Sequence, residues 1–587
     1  MGVPNYFQTI IDNYPDVLLT KLSNVALLYF DFNGIVHWAA GKVASEVKYQ
    51  PKYHDSYENA ILRKIDERVK QLHDLVQPHM RIGFFVDGPA VKAKMKQQLQ
   101  RRTKGPVEHA MKESIRKQLG EELDGVIYNK NAITPGTEFM TKLNNHLLKL
   151  AAQYPKLEVL ISNSNGPGEG EHKMFNHIKN EQLKLFIDKE NPENSQKIVV
   201  VGLDADLIML SLVSHLDNIY LLRESTQRDV KDADNIFHFL EVGLFRLLLI
   251  TEIRNKITAI DQETLYHKSE EDAIINDYIF MCFLLGNDFV PHSPTLSIKS
   301  GGIDRLIHRY VTVFNETKEH LVTITKDPKT NQIKTKVNLK PITKLINILA
   351  DEEDEEMKIV YKKRSKLARY PIKNRNPKGT ALDDEMHKLH YLSAFKVEDE
   401  LKLQIDGYFG WQNKYFKEVL KIDRNPENID AICHNYLEGL DWVLQYYYTE
   451  THSWGWMYRF ISAPLFQDVA DYLNRCTQFP TENPETKRMV PYSPFCQLMM
   501  VVPKSSAGLL PKPLGKMMTY IESPLAHYYP DAFKLNFMFH VYLWEAEPYL
   551  PMIDEKKVEL VVDRAQLTKD EEKRNSFGEM IIIPRKK

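Results

Sequence analysis

At 587 residues the chain is too long for one average domain, so it forms either one very large body or two to three domains. Its residues are 43% hydrophobic, 27% charged and 10% aromatic, enough for a sizeable core; a net charge of −2 excludes a uniformly basic nucleic-acid coat but allows a local basic groove over an acidic centre. The four cysteines, Cys282, Cys433, Cys476 and Cys496, form no C-x-x-C pair, so neither a structural zinc nor a disulfide framework is expected. No secretory signal opens the chain, Tyr6 stands where a myristoylation motif needs Ser or Thr, and the most apolar stretch, 237–253, is broken by Glu241 and Arg246. The expectation is a soluble, monomeric, intracellular protein with no membrane segment, cytoplasmic with the nucleus as the alternative.

In chain order, five short apolar runs read as buried strands: 25–30, 82–86, 157–161, 198–201 and 219–222. Longer helix-like segments separate them, and this alternation predicts an α/β fold with a mostly parallel central sheet and flanking helices. Residues 92–123 are highly charged, with a turn signal only at Gly105-Pro106, and read as a long helix projecting from the body. Residues 351–356 are six consecutive acids, and 358–378 carries nine Lys or Arg and no acid. Such blocks mark a solvated connection more often than an RNA-contacting strand. From about residue 383 the pattern is globular again and rich in aromatics, among them Trp442, Tyr446-Tyr447-Tyr448, Trp454 and Trp456.

Acids recur just past the apolar runs. Asp31 follows Leu27-Leu28-Tyr29-Phe30, and Asp87 follows Phe84-Phe85-Val86. Glu169 and Glu171 lie in a Gly-rich turn after Ile161, Asp204 and Asp206 sit three and five residues past Val201, and Asp288 closes Phe283-Leu284-Leu285-Gly286-Asn287. Ligands of an open parallel sheet bind beyond the carboxyl ends of its strands, so these acids should converge on one patch. A single Asp after a strand is most often a helix cap or a turn former. Seven of them, including an E-x-E and a D-x-D pair, exceed that explanation. Seven converging carboxylates cannot all stay ionised without cations. Mg²⁺ suits them, with Mn²⁺ as a substitute. Two such ions, about 3.5–4 Å apart, generate an attacking hydroxide and stabilise the leaving oxygen of a phosphodiester displacement. A metal-dependent nuclease is therefore expected, with Asp31, Asp87, Glu169, Glu171, Asp204, Asp206 and Asp288 as both metal ligands and catalytic acids.

Longer strings resemble the XRN family of 5′→3′ exoribonucleases, relatives of the flap endonucleases. They are Met1-Gly2-Val3-Pro4-Asn5-Tyr6-Phe7, Asp31-Phe32-Asn33-Gly34-Ile35-Val36-His37, Ile133-Thr134-Pro135-Gly136-Thr137-Glu138-Phe139-Met140, and the segments 167–173, 202–210 and 284–292. The likeness continues through 442–448, 453–456, Ala463-Pro464, Glu522-Ser523-Pro524 and Lys573-Arg574-Asn575-Ser576. It implies a flap-endonuclease or PIN-like nuclease core over residues 1–345, a charged connection over 346–382, and a helix-rich second conserved region over 383–587 packed around the core and shaping its pocket. It also implies a minimal catalytic body without the C-terminal extension of the large cytoplasmic members.

The resemblance assigns roles that the pattern alone leaves open. Lys94, Gln98, Arg101 and Arg102 match the family's pocket for a 5′ monophosphate. They fall on one helix face, and Lys and Arg are apt phosphate clamps. His37 matches the histidine that stacks on the first base, and one of Trp454 and Trp456 completes the sandwich. Taken alone, a basic helix face is usually solvated, and a histidine after a strand is usually packed. The implied substrate is single-stranded RNA with a 5′ monophosphate, released as nucleoside 5′-monophosphates, with a decapping activity acting upstream. Departures are few: Phe32 replaces a more usual Met, Asn163 and Asn165 stand where some relatives carry acids, and Leu99 stands where relatives often have a basic residue. The rivals are a DNA flap nuclease, against which the second-region motifs argue, and a non-catalytic RNA-binding protein, against which all seven acids argue.

Overall fold

The five apolar runs form the parallel centre of an eight-stranded sheet. In a computed structural model, the described residues are 6–181, 196–224, 237–260, 262–330, 332–369, 379–391, 410–485, 487–537, 539–540 and 542–586. The strands are β1 (Leu18–Leu19), β2 (Val25–Asp31), β3 (Arg81–Phe85), β4 (Glu158–Ser162), β5 (Lys197–Val201), β6 (Ile219–Glu224), β7 (Phe237–Glu241), the hairpin β8 (Val322–Lys326) and β9 (Ile333–Val337), the short pair β10 (Leu535–Asn536) and β11 (Glu547–Pro548), and β12 (Ile581–Ile583). The large sheet has the order β1-β7-β6-β5-β2-β3-β4-β12. From β6 to β4 all neighbours are parallel, while β1, β7 and β12 close the edges antiparallel. The opening motif Met1-Gly2-Val3-Pro4-Asn5 lies outside the described residues.

Parallel strands are covered on both faces, which is why they read as continuous apolar runs. Leu28 and Phe30 of β2 pack in a core with the helices Phe32–Glu46 and His54–Val76. Ala26, Leu27 and Tyr29 belong to a second core, shared with the helices Lys268–Phe283 and Pro426–Tyr448. The aromatic helix of the second region therefore shares a core with one face of the nuclease sheet, meeting it through the helices Asp206–Val213 and Lys268–Phe283. A third core joins Met95 and Leu99 to Phe495, Leu498 and Met499. This accounts for Leu99: it is buried there, where a cation would need a partner.

The charged helix spans Lys92–Leu119, 28 residues or about 42 Å, and carries Pro106 within it. The acidic run is not a solvated connection. It lies inside the helix Leu339–Arg369, and several of its acids have distant partners. Glu353 is buried and accepts from Phe466 N (2.7 Å) and Gln467 N (3.0 Å), capping the helix Phe466–Leu473. Asp354 accepts from Trp411 Nε1 at 2.9 Å, and Glu352 pairs with Arg305 and Arg309. Much of the basic tract beyond Arg369 falls outside the described residues. Among the described residues no helix is long and apolar enough to cross a membrane.

The C-terminal segment returns to the sheet, where β12 pairs with β4. Asn165 donates to the Ser576 carbonyl (2.7 Å) and accepts from Gly578 N (3.1 Å). Asn163 and Asn165 thus flank a docking seam beside the Gly-rich turn.

Candidate active site

Four adjacent strands carry most of the site. The chain runs outward from β2 through β3 to β4, then returns to place β5 on the other side of β2. Crossovers diverge at that boundary, where an open sheet leaves a crevice beyond its strand ends. Asp31 at the end of β2 flanks the crevice on one side, and Asp204 and Asp206 after β5 flank it on the other.

Backbone packing draws in the Glu169–Glu171 turn. Gly88 N donates to Gly168 O (2.9 Å), and Gly168 N donates to Pro89 O (2.7 Å). A Cβ on Gly88 would lie 1.7 Å from Gly166 O, so only glycine permits this approach. Gly170 N and Asn33 Nδ2 each donate to one oxygen of Asp87 at 2.7 Å. Asp288 comes from a turn after the Lys268–Phe283 helix and not from a strand end. There Gly286 has φ +85°, and Asn287 Oδ1 accepts from Phe289 N and Val290 N at 2.9 Å each.

Donors sort the seven acids into two groups. Asp87 is held as described. Glu169 accepts from Tyr446 OH at 3.0 Å and pairs with Lys94 at 2.5 Å. Asp206 accepts from Tyr447 OH at 3.0 Å, and Asp288 binds Lys94 at 2.6 Å and Gln97 at 2.9 Å. By contrast, among the described residues no hydrogen-bond donor reaches the Asp31 or Asp204 side chain, and Glu171 Oε2 is buried without a partner. Oxygens of Asp31, Glu171 and Asp204 lie within 4.8 Å of one another, a cradle that can hold a metal ion. His172 joins Glu169 and Glu171 in a second grouping of the same kind.

The electrostatics follow from this crowding. Burial, then Asp87 and Asp204, holds the Asp31 carboxyl well above its ordinary range. Burial, then Asp206 and Glu169, does the same to Glu171. Burial raises Glu169 against the opposing pull of Lys94, and burial with Asp288 raises Asp206 to about 6. For Asp288, burial would raise the pKa, but Lys94 outweighs it and holds the carboxyl well below. Lys94 is itself raised despite its burial, by Asp288, Glu169 and Glu171. The geometry thus turns this lysine toward the acids.

The neighbouring helix turn has the opposite character. Arg102 Nη1 and Gln98 Oε1 are buried with no partner. Burial first, then Arg101, pushes the Arg102 guanidinium down to about 9, with Asp87 opposing. Arg101 is exposed. His37 is reached by solvent, yet surrounding protein lowers its imidazole to about 4, with Arg101 and Arg102 acting in the same sense and Asp87 against it. Such a residue lines the wall of an open recess.

The two tryptophans part company. Trp456 stacks on Trp442 with ring centres 5.0 Å apart and donates Nε1 to Glu438 at 3.0 Å, so it is built into the core. Trp454 is buried, no described ring stacks on it, and its carbonyl accepts from Lys92 N (2.9 Å) at the foot of the charged helix. Tyr446 and Tyr447 are contacts that sequence reasoning missed; the tyrosine triplet was their only signal. A cavity of about 830 Å³ opens from Asp204 and Asp288 past Gln97, Gln100 and Arg101 toward Trp544.

Comparison with known proteins agrees with this geometry. The family model described as XRN 5'-3' exonuclease N-terminus matches residues 1–225, and that described as Xrn1 helical domain matches residues 268–404 and 392–587. Human 5'-3' exoribonuclease 1 is 30% identical over 99% of this chain, which spans 35% of that protein's length. The 5'-3' exoribonuclease 2 homolog of Drosophila melanogaster is 28% identical over 99% of the chain, which spans 73% of it. The 5'-3' exoribonuclease 1 of Saccharomyces cerevisiae is 26% identical over 99% of the chain, which spans 44% of it.

Proposed function

Because the chain belongs to the XRN family of 5′-3′ exonucleases, we propose that it degrades single-stranded RNA bearing a 5′ monophosphate, one nucleotide at a time from that end, with two divalent metal ions at the acid cluster. The observation that carries this reading is an adjacency. A guanidinium at Arg102, its Nη1 buried and unpartnered among the described residues, and a carboxylate cradle of Asp31, Glu171 and Asp204 are linked through Asp87, whose charge acts on both Arg102 and Asp31. The first suits a terminal phosphate dianion, and the second suits cations.

The trio Asp31, Glu171 and Asp204, which no donor among the described residues reaches, fits a hard cation, since the buried Glu171 Oε2 finds no partner there. Glu169, Asp206 and Asp288 would help to hold Mg²⁺, or Mn²⁺ in its place. When bound, such ions supply an activated water and stabilise a leaving oxygen. The chain's own residues do the rest. Arg102, Arg101 and Gln98 clamp the 5′ phosphate, and Lys94 bridges that pocket and the acids. His37 and Trp454 stack on the first base, a contact worth about 1–3 kcal/mol that tolerates any sequence. The cavity from Asp288 toward Trp544 offers the following nucleotides a path. A pocket sized for one phosphate refuses a cap or triphosphate, so decapping has to come first.

Matched RNAs with a 5′ monophosphate, triphosphate, hydroxyl or cap provide the test. Nucleoside 5′-monophosphates should appear from the monophosphorylated RNA alone, with Mg²⁺ and not with EDTA. Equal decay of all four ends would overturn the pocket assignment, and decay in EDTA would overturn the metal assignment.

A further inference from the structure

The Pro426–Tyr448 helix ends in three consecutive tyrosines, all buried. Tyr446 OH donates to Glu169 Oε1 at 3.0 Å, and Tyr447 OH donates to Asp206 Oδ1 at 3.0 Å. Tyr448 turns away and donates to Asn276 Oδ1 at 2.6 Å. Two phenols from the second region thus touch two acids of the nuclease core from a distance of 277 and 241 residues in sequence.

We infer that Tyr446 and Tyr447 are positioning residues of the metal centre, setting how tightly it holds a divalent ion by fixing which carboxylate oxygens face the ion. This rests on the metal reading above and deepens it. Glu169 is gripped at both oxygens, Oε1 by Tyr446 and Oε2 by Lys94, so the carboxylate plane cannot turn. Asp206 has Oδ1 taken by Tyr447, which leaves Oδ2 to face the cluster. A phenol keeps its proton near neutrality, so each is a donor to its carboxylate. A carboxylate oriented by a donor enters metal binding with less torsional freedom to lose. Removing such outer partners typically weakens metal binding about 10–100-fold.

The same helix reaches the base-stacking side. Trp442 lies four residues before Tyr446, stacks on it (4.9 Å) and on Trp456 (5.0 Å), and donates Nε1 to the Ser453 carbonyl at 3.3 Å, next to Trp454. One rigid element therefore sets both the acids and the platform for the base.

The experiment measures Mn²⁺ binding to the full chain without RNA, by isothermal titration, for wild type, Tyr446→Phe, Tyr447→Phe and Tyr448→Phe. Tyr448→Phe removes an equally buried hydroxyl from the same helix end and is the structural control. The two former variants should each bind Mn²⁺ at least 10-fold more weakly, while Tyr448→Phe stays within about twofold of wild type. Equal affinity in all four proteins, or an equal loss in Tyr448→Phe, would overturn the inference. Wild type that binds no Mn²⁺ would instead overturn the metal reading beneath it. If Tyr446→Phe or Tyr447→Phe fails to fold, 3,5-difluorotyrosine at that position keeps shape and hydroxyl but strengthens the donor. A shift in Mn²⁺ affinity of threefold or more then supports the inference, and an unchanged affinity overturns it.

Discussion

Arg102 allows a function-against-stability prediction with a sign that few substitutions would share. Its guanidinium is pushed down to about 9 by burial and Arg101, and its Nη1 has no partner among the described residues. A guanidinium does not give up its proton near neutrality, so the free protein carries a buried charge that Asp87 offsets only in part. This depression corresponds to about 5 kcal/mol at ~1.36 kcal/mol per tenfold change in proton affinity. Solvent at the mouth of the recess screens this to roughly 2–3 kcal/mol. Because the folded-state pKa is depressed, the cost is fully present below about 9 and is relieved only above it. At pH 7 Arg102→Leu should therefore stabilise the RNA-free protein by about 2 kcal/mol, read as a higher urea midpoint. The same change should lower kcat/KM for 5′-monophosphorylated RNA by about 10–100-fold, the loss of one charged hydrogen-bond partner, and leave 5′-hydroxyl RNA within about threefold. Loss of stability together with an equal fall on both RNAs would refute the reasoning, since Arg102 would then be a packed structural residue.

Three further outcomes follow from other parts of the structure. Asp206→Ala should abolish decay while RNA binding, measured by filter retention, stays detectable; normal decay would remove Asp206 from the metal centre. Gly88→Ala places a Cβ 1.7 Å from Gly166 O, so the Glu169–Glu171 turn must shift, and kcat should fall at least about 100-fold with RNA affinity changed much less. Unaltered kcat would show that the turn's position is not critical. His320, raised to about 10 by Asp277 and Glu270 despite its burial, should stabilise the fold fully below pH 6.5 and lose that contribution as pH rises through about 10. Asp277 is itself held above its ordinary range by burial, which opposes the pair, so His320→Gln should cost about 2 kcal/mol at pH 6 and almost nothing above pH 10. Urea midpoints that differ equally at both pH values would contradict this.

What could be read from the sequence was whatever depends on short stretches of chain. The β2, β3, β4, β5 and β6 runs are mostly apolar because both their faces are covered, and the acids beyond their ends converge because strand polarity places all those ends on one side. Partners distant in the chain could not be read this way. Ile581–Ile583 is three residues long and gains meaning only beside Val159, Leu160 and Ile161. The acidic run reads as solvated, because nothing near it in sequence reveals that Glu353 caps a helix beginning at Phe466. Lys94 shares a helix face with Arg101 and Arg102, yet helical spacing alone does not tell that its ammonium turns to Glu169 and Asp288 while Arg102 stays unpaired.

These long-range contacts bear on how the molecule should be divided. β12 from the second region completes the nuclease sheet, and the Pro426–Tyr448 helix packs in the same core as Tyr29 of β2. Without that region, the helices Asp206–Val213 and Lys268–Phe283 would lose the apolar partner packed against them, and at about 25 cal/mol per Å² such exposure soon exceeds a domain's marginal stability. Glu169 and Asp206 would lose their phenol donors at the same time. Residues 1–345 contain all seven acids, yet the stability of that segment and the orientation of its acids come partly from beyond residue 426. The boundary drawn from charge and composition separates sequence patterns; the sheet, the core and the hydrogen bonds to the acid cluster all cross it.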